Sequence, residues 1–308
     1  MSKLDVKAVT ALSMSTVLSS VEKLRRDGLV IVGEEKKKSG GKPRSLINVS
    51  EKVCVCGVSY KSGILTAVRA DLKGRISGAS EIAIVDKSVS PSGYVLSLLK
   101  EMPKDRSLVA IGLAMNVSDP DRLSEEIKNA FAVPVSVTSN TGAVAALTAF
   151  GETTYPVGAL GIGKRVKFAL FSETLKTSDV SAVLSPCATS EGRSYGALLS
   201  VPTVEKRLLD DFYRGVYTFN GEKYSETRDK KEYSEALVEA LSSLADAAAA
   251  FASPKILVLF GDYVSEGLFE RVKNAARVPS VLRRFSGARE ELALGAAYHA
   301  MKECVFSE

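Results

Sequence analysis

Ser15-Thr16-Val17-Leu18-Ser19-Ser20-Val21-Glu22-Lys23-Leu24-Arg25-Arg26-Asp27-Gly28-Leu29-Val30-Ile31-Val32 is the stretch on which the reading of this chain turns. Val17, Val21, Leu24 and Leu29 recur at helical spacing and predict one buried stripe. Ser13 or Ser15 can cap that helix by accepting an otherwise unpaired backbone N–H. Gly28 can end it, because glycine tolerates positive φ. The opposite face carries Ser15, Thr16, Ser19, Ser20 and Lys23, small polar side chains suited to a major groove. Upstream, Leu4 to Ala11 reads as a shorter helix, joined through Leu12-Ser13-Met14. Downstream, Leu29 to Val32 and Ser45 to Val49 read as two strands of a hairpin. The connection, Gly33 to Arg44, holds Lys36, Lys37, Lys38, Lys42 and Arg44 beside Gly40 and Gly41, a flexible basic segment fit for phosphate or minor-groove contact. Residues 1–52 are therefore expected to form a DNA-binding winged helix-turn-helix.

The charge distribution agrees. Of the formal net charge of +5, all lies between Met1 and Lys52, where eleven Lys or Arg face six Asp or Glu. The remainder is balanced, so a basic module is attached to an electrostatically ordinary body. A composition of 45% hydrophobic and 25% charged residues in a chain of 308 supports two or three cored domains and excludes a disordered or coiled-coil chain. No apolar run is long enough for a bilayer span, and the N-terminal residues lack the apolar core of a secretory signal, so a cytoplasmic location is expected. Four cysteines, Cys54, Cys56, Cys187 and Cys304, are too few for a disulfide framework; the first two alternate with valines and read as small hydrophobes in a strand.

The body alternates strands and helices, which argues for α/β. Expected strands are Val53 to Val58, Ile64 to Asp71, Ile76 to Val85, Ser107 to Ala114, Val133 to Val137, Tyr155 to Ile162, Arg165 to Phe171 and Lys255 to Phe260. Expected helices are Ser90 to Lys100, Asp121 to Phe131, Asn140 to Phe150, Val201 to Phe212, Lys230 to Phe251, Ser265 to Ala276 and Arg289 to Lys302. Ser59 to Gly63 is expected as a loop, and Arg214 to Glu226, rich in Tyr and Gly, as an irregular excursion.

Leu24 to Val30 followed by Ser39-Gly40-Gly41-Lys42-Pro43-Arg44 resembles the winged helix of the ROK-family repressors, transcription factors related to bacterial sugar kinases. Weaker matches in the body are Pro134 to Asn140, Gly161-Ile162-Gly163 and Leu294-Gly295-Ala296-Ala297. The resemblance implies Ser15 to Arg26 as recognition helix and Gly33 to Arg44 as wing. It further implies two ribonuclease-H-like (actin- or sugar-kinase-like) lobes, residues 53–152 and 153–308, with the closing helix 289–302 packing back on the first. Family members usually carry another helix ahead of the one near Leu4, and almost nothing stands there in this sequence.

The family's kinase chemistry has few counterparts. Ser59 stands where a strand should end in Asp, Lys61 stands in a glycine-rich turn, and Asn116 follows a strand where a Pro-Gly turn is usual. Asn140-Thr141 replaces Asn-Asp, and a threonine hydroxyl cannot serve as the base. Gly161 and Gly163 remain, whereas Gly261-Asp262-Tyr263 replaces consecutive glycines. Cys187 stands alone where three cysteines and a histidine would hold zinc, with Ser194 near a lost cysteine and Gly196 near a lost glutamate. His299 reads as a partly buried helix residue. No metal and no cofactor are expected, and the chain is expected not to be an enzyme. The implied function is a transcriptional regulator, a repressor, binding a double-stranded operator as a homodimer or higher homo-oligomer. A small-molecule effector would occupy a cleft formed by Ser59, Lys61, Asn116, Asn140, Thr141, Gly161, Gly163, Gly261 and Asp262. The competing readings are a divergent ATP-dependent sugar kinase and a winged-helix protein scaffold; no membrane role is expected.

Overall fold

In the computed structural model the described residues are 1–35, 44–85, 90–102, 105–152, 154–172, 180–189, 192–200, 202–204, 217–219, 224–226, 231–261 and 263–306. The chain opens with α1 (Lys3–Thr10) and α2 (Met14–Arg26), then the antiparallel hairpin β1 (Val30–Glu35) and β2 (Arg44–Val49). Each helix begins where a hydroxyl is available. Ser2 and Asp5 form a reciprocal capping box on α1, and Ser13 accepts from the Thr16 N–H on α2. Gly28, at φ +74°, makes the turn out of α2 that the sequence anticipates. Val17 and Val21 are buried and Leu29 is 7% exposed, so the stripe read from the sequence is the packed one. Ser2 bridges to Leu46 and the Ile47 N–H reaches the Met1 carbonyl, which holds the start of α1 against the hairpin.

Two five-stranded sheets follow, and they share one plan. The first runs β5 (Ile76–Ala83), β4 (Ile64–Ala70), β3 (Val53–Lys61), β6 (Ser107–Ala114), β7 (Val135–Thr138). The second runs β10 (Val180–Val183), β9 (Val166–Phe171), β8 (Val157–Ile162), β13 (Ile256–Gly261), β14 (Leu282–Arg284). In each, three strands meander antiparallel and two more add in parallel beside the first of them. Parallel addition needs a crossover, supplied in the first sheet by α3 (Pro91–Glu101) and α4 (Pro120–Phe131). Between β7 and β8 lies α5 (Asn140–Glu152). The rest of the described chain contributes α6 (Tyr195–Leu199), the short pair β11 (Tyr217–Phe219) and β12 (Tyr224–Glu226), α7 (Lys231–Ala252), α8 (Glu266–Ala275) and α9 (Arg289–Ala300), with a π-turn over Met301–Val305. No single helix among the described residues is long and apolar enough to cross a membrane.

Two helices tie the sheets together. The last helix, α9, lies on β3, β4 and β6 of the first sheet, while α5 lies on β8 and β9 of the second and against α9. Helix and sheet touch backbone to backbone: a Cβ on Gly57 would come within 1.8 Å of the Ala293 carbonyl oxygen, and one on Gly112 within 1.9 Å of that of Ala296. Glycine is obligatory at both positions, because the neighbouring atoms are main chain and cannot swing aside. One apolar cluster spans this junction and reaches the N-terminal hairpin. Leu29, with Leu24 and Val49 at its margin, belongs to the same cluster as Leu72, Val144, Tyr298 and Met301.

Several expectations need correction. Ser59 to Lys61 continue β3 instead of forming a loop, and only Ser62 (φ +52°) and Gly63 (φ +82°) turn the hairpin. Strand pairing overrides the polar composition there, since each residue from Ser59 to Lys61 faces a partner on β4. Strands β10 and β14 and helix α6 have no counterpart in the sequence reading, being only three to five residues long. The helix expected over Val201 to Phe212 is described only at 202–204; within the Arg214 to Glu226 segment, expected to be irregular, the described residues pair as β11 and β12, because ladder bonding overrides the Tyr- and Gly-rich composition.

Candidate functional site

At the N-terminus, α2 presents Ser15, Thr16, Ser19, Ser20 and Lys23 to solvent, all five exposed on the face opposite Val17 and Val21. Their hydroxyls are partly engaged already. Ser13 Oγ lies 2.7 Å from Ser15 Oγ and 2.8 Å from Thr16 Oγ1, and Ser19 Oγ donates to the Thr16 carbonyl at 2.9 Å. In the last turn Arg25 pairs with Glu22 at 2.7 Å; the hydrogen bond from Arg25 holds the Glu22 carboxyl below its usual range. Lys36, Lys37, Lys38 and Lys42 lie outside the described residues, as does the side chain of Arg44, whose backbone opens β2. Leu4, Val9, Leu12 and Leu18 are exposed, and α1 buries none of its residues.

The second group of predicted residues lies where the parallel strands of the first sheet end, the edge at which α/β sheets form ligand crevices. Ser59 is fully buried and its Oγ donates to the Arg289 carbonyl at 3.1 Å. Lys61 Nζ donates to the Gly287 carbonyl at 2.8 Å, so both residues tie the end of β3 to the entry of α9. Arg289 itself reaches Glu81 at 3.0 Å, and Glu81 accepts from Thr66. A depression of about 480 Å³ opens here, lined by Lys61, Ser62, Glu81, Gly287, Arg289 and Glu290 among others.

Asn140, the first residue of α5, donates through Nδ2 to the Tyr60 carbonyl at 3.1 Å, while its Oδ1 is buried without a hydrogen-bond partner. Thr141 is 3% exposed, and its Oγ1 sits 2.6 Å from where a Cβ on Gly161 would stand, so Gly161 admits the start of α5. Asn116 Oδ1 accepts from Lys167 Nζ, which reaches from β9 of the second sheet. Gly163 donates its N–H to the Arg165 carbonyl at 3.2 Å and a Cβ there would meet nothing closer than 3.9 Å, so it reads as an ordinary turn; Gly261 is pressed against Ile162. Asp262 lies outside the described residues. The structure thus sets Thr141 against Gly161, ties Asn140 to the backbone of β3 between Ser59 and Lys61, and joins Asn116 to Lys167.

Some features escape a reading of the sequence. Lys167 is one lysine in an otherwise apolar strand, and only the pairing of Gly161 with Lys167 places it facing Thr141. Burial, then the neighbouring Arg165, pushes the Lys167 ammonium below its usual pKa. Cys54 does more than fill space, because Arg69 Nη2 approaches its sulfur at 2.8 Å while also donating to the Arg106 carbonyl. Arg69 completes its fork on Asp105. His299, expected to be partly buried, is 3% exposed, with Nδ1 at 3.2 Å from Ser136 Oγ. The tight packing of α9 on glycines removes the solvent edge that a surface helix would leave it.

No family model and no curated protein sequence matches the chain. Solved structures do. A ROK family transcriptional regulator, a homologue of the E. coli MLC protein, superposes with a TM-score of 0.70 at 14% identity, covering 98% of this chain and 92% of that one. A ROK family glucokinase from Streptomyces griseus gives 0.61 at 12% identity, covering 81% of this chain and 99% of its own. The ROK hexokinase from Thermus thermophilus gives 0.61 at 15% identity, covering 82% and 100%. With its doubled sheet plan and the two helices that join the halves, the chain has the fold shared by the ROK regulators and the ROK sugar kinases.

Proposed function

We propose that this protein is a DNA-binding transcriptional regulator, a repressor, whose sugar-kinase-like body has no catalytic role. The observation that carries the reading is one of coverage. The regulator superposes over nearly the whole chain, whereas the two kinases leave about a fifth of it unmatched. A segment of that size, residues 1–52, holds the entire net positive charge and the exposed polar face of α2. On this reading residues 1–52 are the winged helix, 53–152 and 153–308 the two lobes, and α2 the element that enters the major groove. Thr141 supports the absence of kinase chemistry, since its hydroxyl cannot act as base near neutral pH. A dimer fits the task, because two recognition helices double the base pairs read and match a palindromic operator.

Fluorescence anisotropy on an enriched duplex and on a scrambled one, each at several salt concentrations, tests the reading. Lys37→Ala and Lys38→Ala should weaken binding about equally on both duplexes. Each phosphate left without its cation should flatten the slope of log K against log salt by about 0.9. Thr16→Ala and Ser20→Ala should instead cost discrimination between the duplexes, by about 1–3 kcal/mol where the side chain meets a base edge. Absence of duplex binding at about 50 mM salt, where phosphate attraction is strongest, would remove the regulator reading. The shared fold of the sugar kinases keeps a second reading in view, a divergent kinase. ATP-dependent turnover of a hexose, abolished by a substitution in the cleft, would establish it.

A further inference from the structure

The chain passes between the two sheets twice, through α5 on the way out and through residues 285–288 on the way back to α9. Where α5 and α9 meet, the seam is lined by small side chains. Ala143, Ala296 and Ala114 form a buried cluster of their own, and a Cβ on Gly295 would come within 2.2 Å of the Ala143 carbonyl oxygen. Alanine and glycine raise only low ridges on a helix, so two such surfaces can slide on one another in a shear motion. The contacts that oppose sliding are polar. Lys167 Nζ, from β9 of the second sheet, donates to Asn116 Oδ1, two residues beyond the end of β6 in the first. Asn140 Nδ2, at the head of α5, donates to the Tyr60 carbonyl on β3. From that same strand Lys61 Nζ donates to the carbonyl of Gly287, whose φ of +78° bends the returning segment. The closed arrangement also carries a cost. Asn140 Oδ1 is buried with nothing donating to it, and parting the halves would return it to water. Polar ties between the halves therefore work against a polar penalty that opening would relieve.

We propose that the body is a latched two-state device, in which the chain's own Lys167–Asn116 hydrogen bond holds the two halves shut. Breaking that bond lets α5 slide on α9 and the halves part. The Lys61–Gly287 bond has a different part, stiffening the segment by which the chain returns to the first sheet. Lys167 is the member that matters most, because a hydrogen bond given by an ammonium is about twice as strong as one between neutral groups. The latch belongs to residues 53–308 and holds whether or not residues 1–52 bind DNA.

The test is the separation of the halves in the full chain, read by double electron–electron resonance between two nitroxides. One sits at Asn129→Cys, exposed on α4, and the other at Asn274→Cys, exposed on α8, with Cys187→Ser removing the exposed native thiol. The parent should give one narrow distance distribution. Lys167→Met keeps the aliphatic stem and removes the charge. It and Asn116→Ala should each add a longer component, raising the ratio of open to closed at least about tenfold. The double variant should open no further than either single one, since both remove the same contact. Asn116→Asp places a carboxylate opposite the ammonium and should keep the short distance. Lys61→Met should broaden the short component without adding a long one. Circular dichroism showing parent-like helix content separates an opened body from an unfolded one. Parent-like distributions in both Lys167→Met and Asn116→Ala would show that the packing of α5 on α9 holds the halves unaided, and the latch would be withdrawn. Additive opening in the double variant would overturn it equally, as general loosening.

Discussion

Among single residues, the tightest constraints are atoms that are missing. Gly57→Ala would drive a methyl group into the Ala293 carbonyl, 1.8 Å away, and the helix would have to lift from the sheet. Overpacking of this kind costs about 1–3 kcal/mol and more where main chain must move, so urea unfolding should show a clear loss. Gly267, in α8, has no neighbour within 4 Å, and Gly267→Ala should instead gain up to about 1 kcal/mol from helix propensity. The thiols offer a second measurement. Burial pushes the Cys56 thiol up to about 12 and the Cys304 thiol up to about 11, whereas Cys187 is exposed. A thiol reagent at pH 8 should modify Cys187 first and leave Cys56 untouched until the protein unfolds. The sign of the linkage follows. Because the folded value of Cys56 lies above the ordinary 9.0, its contribution is full below pH 9.0 and is lost as pH rises toward about 12. Alkaline unfolding of Cys56→Ala should therefore be less steep in pH than that of the parent.

Within single elements, caps and turns set where α2 and the β3–β4 hairpin begin and end. Ser13 caps the first turn of α2 through the Thr16 N–H. Ser13→Ala should cost about 0.5–2 kcal/mol and Ser13→Asp should recover most of it, as read by chemical unfolding. Duplex affinity should fall in step with helix α2, not with the charge of the module. In the hairpin, two successive positive φ values at Ser62 and Gly63 mark the turn type that prefers Asn-Gly. Ser62→Asn should therefore stabilise the chain by a few tenths of a kcal/mol to about 1 kcal/mol. Ile64 and Lys61 should keep their pairing, visible as unchanged amide protection along β3.

Across the whole molecule, the apolar cluster that includes Leu29, Val144, Tyr298 and Met301 joins the N-terminal hairpin to α5 and α9. Tyr298 is locked within it, stacked on Phe150 with ring centroids 4.0 Å apart and pressed on the turn at Gly74. A shared core makes the parts melt as one unit, since a cavity anywhere in it is felt by all its walls. Leu29→Ala should cost about 2–5 kcal/mol. Calorimetry should then show a single transition moved to lower temperature. An early, separate melting of residues 1–52 would show that the cluster does not couple the module to the body.

Elements whose signals are local are already legible in the chain. Val17, Val21, Leu24 and Leu29 mark a helical stripe, Gly28 and Ser13 mark its ends, and Ser107 to Ala114 is an apolar run bounded as a strand. Periodicity and capping depend on residues a few positions apart, so they survive in one dimension. The location of the charge, too, is a property of the chain alone. The make-up of the cleft is different, because folding alone assembles it. Lys61 is expected from the sequence to line the effector cleft and is a tie to the Gly287 carbonyl in space, across more than two hundred residues. Lys167 carries no signal within the strand expected over Arg165 to Phe171, and in space it bridges the two sheets. Short β14 and β10 are strands because long partners pair with them, not because their few residues prefer it. His299 is buried because Gly57, Gly112 and Gly295 let α9 sink onto its neighbours. Each of these outcomes depends on which distant atoms meet, and a meeting of distant residues leaves no period, cap or composition at either end for the sequence to display.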